Sequence, residues 1–347
     1  MPKFNKLLLV VFLLAGFRSY AQDIHFSQFN AAPLALNPAL TGNYACDWRA
    51  GLNYRNQWNS IPAPYVTYSA FADMPIVQGI RGNDKLAAGL LLYNDVSGDG
   101  NLSNLSVLAS VAYHLALGSP SHYLSLGLQG GMMQKSLDWN NLLFGNQFDG
   151  VDFNSATPNF EPYTGDNILN ADLNVGLTYK GQFSQNFSLE VGGASNHLLT
   201  PGESFLSADT ITDRDGTIGN ELGMRYVGHM RAIIGFTKDL SLLPTVLYQT
   251  QSGAQEMVLG ADLGYFLRNP NFPATIYVGL YTRNGDALIP SIAMDYKNFK
   301  LGISYDVNTS GLDVATNGRG GFEISLVYTG CILPVVPENY VLPCPRY

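Results

Sequence analysis

Ser195 and His197 stand two residues apart, and a serine beside a histidine is the pairing hydrolases use to make a nucleophile. On an extended strand, positions i and i+2 share a face, which would bring the two side chains near each other. The G-x-S-x-G elbow that presents such a serine above a sheet is missing, so a polar strand end is the stronger reading. Asp95, Ser97, Asp99 and Gly100 resemble the start of a calcium loop. The twelfth position is Ser106 instead of a bidentate Glu, which reduces the motif to a turn. The five histidines are scattered, with no H-E-x-x-H and no Cys/His cluster, so no metal is expected. No phosphate loop or dinucleotide fingerprint appears, so no cofactor is expected either. The residues point away from an enzyme.

The elements that carry these residues have an unusual composition. Of 347 residues, 46% are hydrophobic and only 13% charged, with 20 Tyr and 36 Gly. That mix excludes a coiled coil, a disordered chain and a charge-rich soluble surface. A net charge of −8 disfavours nucleic acid, which demands a basic footprint. Three Cys exclude a disulfide-built scaffold.

Residues 1–21 read as a cleaved signal peptide. Lys3 and Lys6 supply the positive end, Leu7 to Phe17 the apolar stretch, and Ser19-Tyr20-Ala21 the small-x-small cleavage site. The stretch is too short to span a bilayer, and no later run of eighteen apolar residues could form a transmembrane helix. Export of so weakly charged a chain leaves a secreted β protein or an outer-membrane barrel.

Alternation favours the barrel. Met257, Leu259, Ala261, Leu263, Tyr265 and Leu267 share one face, against Glu256, Val258, Gly260, Asp262, Gly264 and Phe266. Leu105, Val107, Val111 and Tyr113 oppose Asn104, Ser106, Ser110 and His114 in the same way, and Phe322, Ile324, Leu326 and Tyr328 oppose Glu323 and Ser325. A soluble sandwich would place more Lys and Glu outward. Here the polar faces are small and weakly charged, as a lumen requires, and Tyr clusters near strand ends as in an aromatic girdle.

The pattern predicts an all-β transmembrane antiparallel barrel of about fourteen strands over residues 47–329. Strands are expected to begin near Asp47, Tyr65, Lys85, Leu102, Ser121, Asn170, Phe187, Leu222, Leu240, Gln255, Ala274, Ala287, Phe299 and Gly320. The odd-numbered links include long loops near 138–169, 197–221 and 308–319, and the even-numbered links are mostly short turns. Residues 22–46 form an N-terminal segment, periplasmic or lumenal, and 330–347 a Pro- and Cys-containing tail. The segment from Asp23 to Tyr44 is apolar but not periodic, and Pro33 and Pro38 make it too irregular to cross lipid as a strand. It should fold against protein, inside the lumen or under the rim. Arg55 on the first strand, if buried, would be costly unless paired. Closure of the barrel sets the first and last strands side by side, which brings Cys46 and Cys331 into one region. A disulfide between two of Cys46, Cys331 and Cys344 would pin the tail near that seam, with the pairing open.

Several stretches resemble one family. The mature N-terminus runs Asp23-Ile24-His25-Phe26-Ser27-Gln28-Phe29, followed by Asn37-Pro38-Ala39-Leu40-Thr41-Gly42. Tyr54-Arg55-Asn56-Gln57-Trp58 comes next, with Pro62-Ala63-Pro64 after it. Ser195-Asn196-His197-Leu198-Leu199-Thr200-Pro201 carries a His-Leu-x-x-Pro segment, and Gly321-Phe322-Glu323-Ile324-Ser325-Leu326 precedes Cys331 and the terminal Cys344-Pro345-Arg346-Tyr347. Together they resemble the PorP/SprF family of type IX secretion system membrane proteins of the Bacteroidetes, over Asp23 to the C-terminus.

The resemblance implies a non-enzymatic outer-membrane protein that supports export and cell-surface attachment of large secreted proteins such as gliding adhesins. Its implied partners are a secreted surface protein with a type IX C-terminal signal domain, other secretion or gliding components, and outer-membrane lipid. It marks Phe26, Gln28, Asn37, Pro38, Gly42, Arg55, Asn56, Gln57, Trp58, His197 and Pro201 as motif or docking candidates. No further domain is expected after Tyr328. The competing reading is an outer-membrane channel for small solutes, since fourteen strands can enclose a water-filled lumen.

Overall fold

The computed structural model describes residues 23–59, 64–119, 121–163, 165–205, 221–311 and 316–331. The predicted signal segment, Cys344 and Pro62-Ala63 lie outside these residues. Fourteen strands follow one another. They are β1 (Trp48–Gln57), β2 (Tyr65–Gln78), β3 (Lys85–Ser97), β4 (Leu102–Ala116), β5 (His122–Ser136), β6 (Asn167–Ser184) and β7 (Phe187–Asn196). The second half holds β8 (Arg225–Gly235), β9 (Leu240–Gln251), β10 (Ala254–Asn269), β11 (Phe272–Arg283), β12 (Ala287–Tyr296), β13 (Phe299–Asn308) and β14 (Arg319–Gly330). Each pairs antiparallel with its neighbours, and β1 closes on β14.

The barrel is therefore the predicted fold, and all fourteen strand starts fall within three residues of the expected ones. β8 begins at Arg225 rather than Leu222 because the backbone N–H of Leu222 is committed to the carbonyl of Pro201 at the loop base, 2.8 Å away. The disulfide joins Cys46, just before β1, to Cys331, just after β14. This marks one mouth as the termini end; β5 and β7 both end at the opposite mouth, the loop end, where the links 137–166 and 197–224 begin.

Period-two alternation sets the outer wall. Leu52, Leu128, Leu177, Val278, Leu280 and Ile292 are exposed on the outer face, as hydrocarbon demands. Aromatic rings gather at the termini end. Trp48 and Phe299 each lie 4.7 Å from Tyr328, and Phe272 stacks on Tyr296 at 4.5 Å. Such rings suit the membrane interface, apolar on one side and wet on the other.

The inner wall departs from the uniform small polar surface expected of a lumen. Leu91, Leu108, Leu243, Leu247, Val258, Ile289 and Val327 point inward and are buried. They are dry because Asp23–Tyr44 fills the lumen. A 3-10 turn (Phe29–Ala31), the short helix α1 (Pro33–Leu36) and a second 3-10 turn (Pro38–Leu40) supply Phe29, Leu34, Leu36 and Leu40 to those patches. Pro33 and Pro38 open their turns at the first helical position, where a missing N–H costs nothing.

The facing of β14 generates a prediction. Leu326 lies opposite Leu52 and Leu301 on the outer wall, while Phe322 is nearer the loop-end rim. Leu326→Arg should destabilise the barrel by about 2–4 kcal/mol, and Phe322→Arg by less, because the cost of a charge falls toward the interface. Urea titration of the folded barrel in lipid checks this; equal, negligible effects would show that the facing is reversed.

Candidate functional site

The lumenal segment is held at both ends by buried charge. Arg55 enters from β1 at the loop-end third. Its Nη1 donates to Ser27 Oγ at 2.7 Å and to Glu323 Oε2 at 3.1 Å, and its Nη2 donates to Asp306 Oδ2 at 2.8 Å. Arg283 donates to the same serine oxygen at 2.8 Å and to Asp306 at 3.1 Å. Ser27 Oγ in turn donates to Asp306 Oδ1 at 2.7 Å. Glu323 accepts the backbone N–H groups of Ser27 and Gln28 at 2.7 and 2.9 Å. Gln28 adds a bond from its Nε2 to the Glu323 carbonyl, and its Oε1 accepts from Ser325 Oγ. Two guanidiniums and two carboxylates, all almost fully buried, thus converge on one residue of the segment. Removal of charge from water is expensive, and only multiple charge-assisted hydrogen bonds of this kind make it tolerable.

The other end is clasped by Arg49 and Asp73. Their contact is bidentate, at 3.0 and 2.7 Å, and Arg49 Nη2 also donates to the carbonyl of Leu40. Asp73 Oδ2 accepts the N–H of Gly42 at 2.6 Å, and the Arg49 guanidinium lies 4.6 Å above the Tyr44 ring. Arg49 and Arg55 sit six residues apart on one strand, roughly 20 Å at about 3.3 Å per residue. The segment runs the depth of the wall between them.

Its middle is keyed to the wall by shape. Asn37 Oδ1 caps the following turn by accepting the Ala39 N–H at 2.9 Å, while Nδ2 lies 3.1 Å from Thr178 Oγ1 and 3.0 Å from His229 Nε2. Gly127 of β5 faces Pro38 and Ala39 so closely that a Cβ there would stand 2.3 Å from their backbone atoms. Gly42 has φ +70°, and a Cβ on it would lie 2.2 Å from that of Ala87. Both positions exclude any side chain.

Nearest the loop end, His197 bridges Asp172 (Nδ1, 3.1 Å) and Asp23 (Nε2, 3.0 Å), and Arg225 contacts Asp23 at 3.0 Å. Burial works against a charged His197, but the two carboxylates outweigh it and raise its pKa from the ordinary 6.5 to about 9. Burial also opposes ionisation of Asp23, yet Arg225 and His197 hold its carboxyl well below the usual range.

The motif residues therefore divide. Gln28, Asn37, Pro38, Gly42, Arg55 and His197 meet in the lumen, and Phe26 is buried in the same segment. The Arg55-Asn56-Gln57-Trp58 element does not act as a unit. Asn56 alternates to the outer face, where its Nδ2 donates to Tyr54 Oη at 3.3 Å. Gln57 is half-buried on the lumenal side, and Trp58 sits at the rim with its ring edge on Tyr65. Pro201 closes the base of the 197–224 link. The proximity expected of Ser195 and His197 is not found. Ser195 shares the outer face of its register partners Val175 and Tyr226, whereas a φ of +59° turns His197 inward. Among the described residues no cluster of three His, Cys, Asp or Glu is arranged to hold a metal. Arg49, Asp73, Arg225, Arg283 and Asp306 escaped sequence reasoning. Their one signal is a charge on the inner face of a strand that carries few charges.

Above the lumen, the 137–166 link rests on an aromatic base. Trp139 stacks on Tyr163 at 4.3 Å, and Phe205 meets it edge-on at 6.1 Å. Lys135 ties the neighbouring link through Glu203 at 3.2 Å.

Arg55→Leu leaves buried Glu323 without its cation and Asp306 with Arg283 alone, and should cost about 3–5 kcal/mol. Adding Glu323→Gln should recover part of that loss in a double-mutant cycle of urea unfolding; strictly additive losses would show the contact is not energetic. The raised His197 pKa contributes stability that is complete below about 6.5 and is lost as pH rises through about 9. The depressed Asp23 acts in the opposite direction, and its contribution is lost only in strong acid. Amide exchange at residues 23–28 should therefore be slow near pH 6 and accelerate, after correction for intrinsic rate, toward pH 9.5. His197→Gln should remove the step.

The family described as "Type IX secretion system membrane protein PorP/SprF" matches residues 18–328. Among solved structures, the chain is similar to a Pseudomonas aeruginosa FadL homologue at 10% identity, covering 84% of this chain and 92% of that one, with a TM-score of 0.46. It is also similar to the P. putida toluene transporter TodX at 9% identity, covering 85% and 93%, with a TM-score of 0.45. No curated protein matches. With the family match spanning nearly the whole barrel and its lumenal segment, the chain belongs to the PorP/SprF family of type IX secretion system membrane proteins, outer-membrane β-barrels.

Proposed function

We propose that this protein is a sealed docking barrel that supports export of large secreted proteins, gliding adhesins among them, and holds them at the cell surface without catalysing a reaction. The observation that carries the reading is the lumenal segment. Its clasps at Ser27 and at Leu40–Gly42, with the close fit at Gly127, make it part of the wall, so a partner is met at the mouths and not passed through. A cavity beside it, lined by Gln28, Asp262, Lys300 and Ser304, measures about 50 Å³, room for one or two waters. Family membership supports partners within the secretion system. The long links 137–166 and 197–224 are the natural contact surfaces, since loops on a rigid scaffold carry recognition. A leader cleaved before Gln22 would deliver the chain to the outer membrane, with the loop end outward.

Deletion of the gene should strip one or a few large proteins from the cell surface while growth continues, read by surface proteomics with complementation. The purified barrel should show no stable open step in a planar bilayer. Intact surface proteins together with steady conductance or lost uptake of a solute would establish the channel instead.

A further inference from the structure

Charge is distributed very unevenly between the two mouths. Among the described residues, the links at the loop end contain nine Asp and Glu and no Lys or Arg. Those at the termini end contain Asp84 and Asp239 against Arg81, Lys238 and Lys297. The acid of the described links is thus concentrated at one rim. The 137–166 link alone holds five acids and no Lys, Arg or His.

That link is also ordered. Gln147 Nε2 donates to the Thr157 carbonyl at 2.7 Å, the Asn154 N–H donates to the Gln147 carbonyl at 2.9 Å, and Phe148 bridges Phe153. Within this frame apolar side chains are turned to water. Val151 is 91% and Phe160 82% exposed, and Phe148 and Phe153 remain about half exposed. Asp149, Asp152 and Glu161 are exposed beside them. These side chains lie off the strands, in the link between β5 and β6. Exposed apolar groups rimmed by like charge mark an interaction surface.

We propose that the 137–166 link docks a protein segment in which Lys or Arg alternates with apolar side chains. Its apolar groups would cover Val151 and Phe160, and its cations would meet Asp149, Asp152 and Glu161. Charge decides the class of partner. A second copy of this chain would set acid against acid, and phosphate-bearing lipid headgroups would be repelled in the same way. The inference rests on the docking-barrel reading only in placing the loop end outward.

The test uses the full chain in its native membrane. Photoreactive p-benzoylphenylalanine is placed at Phe160, with a lipid-facing control at Leu128. Irradiation of isolated membranes should yield an adduct at Phe160 whose attached peptide carries at least two Lys or Arg and no excess of acid. Its yield should fall at least fivefold between 0.1 and 0.5 M NaCl. It should fall similarly in the variant Asp149→Asn, Asp152→Asn, Glu161→Gln, whose heat-modifiable migration reports a folded barrel. No adduct, an adduct to lipopolysaccharide or to a second copy, or a yield indifferent to both salt and charge removal would overturn the inference. A basic peptide from a protein never displayed at the surface would uphold this docking surface while removing the secretion reading.

Discussion

A guanidinium placed inside a barrel has lost its water and must find carboxylates, and the structure is organised around that requirement at Arg55. Asp306 and Glu323 come from β13 and β14 and Arg55 from β1, so the cluster spans the seam where the barrel closes. Ser27, carried on the lumenal segment, completes it by accepting from two arginines and donating to one aspartate. Closure of the sheet and seating of the segment are therefore one event electrostatically. Without the segment the cluster lacks two backbone N–H donors and a hydroxyl; without closure the carboxylates lie on a free edge.

The apolar islands of the inner wall obey the same logic. Leu91, Leu108 and Val327 would be costly in a water-filled lumen, and Leu34 and Ala31 cover them. Leu247, Val258 and Ile289 are covered by Phe29, Leu36 and Leu40. This wall is polar where it clasps the segment and apolar where it packs against it.

The two mouths have correspondingly different surfaces. The termini end has short turns, an aromatic girdle and the Cys46–Cys331 link across the seam. The loop end has long, acidic, aromatic links above the Asp23–His197–Asp172 cluster.

Much of this was legible in the chain. Period two is a local property: the residue after a lipid-facing leucine faces inward whatever the rest of the molecule does. Strand number, hairpin order and the outward set around Leu326 and Met257 were thus determined by the sequence itself. The prolines at 33 and 38 likewise announced a segment unfit to cross lipid. Which mouth the segment begins at, which arginine meets which acid, and the inward turn of His197 against the outward Ser195 were not. These depend on pairs such as Ser27 and Asp306, or Asp23 and His197, separated by 279 and 174 positions. Only a closed barrel brings them within 3 Å of each other, because closure is a property of all fourteen strands together and of none alone.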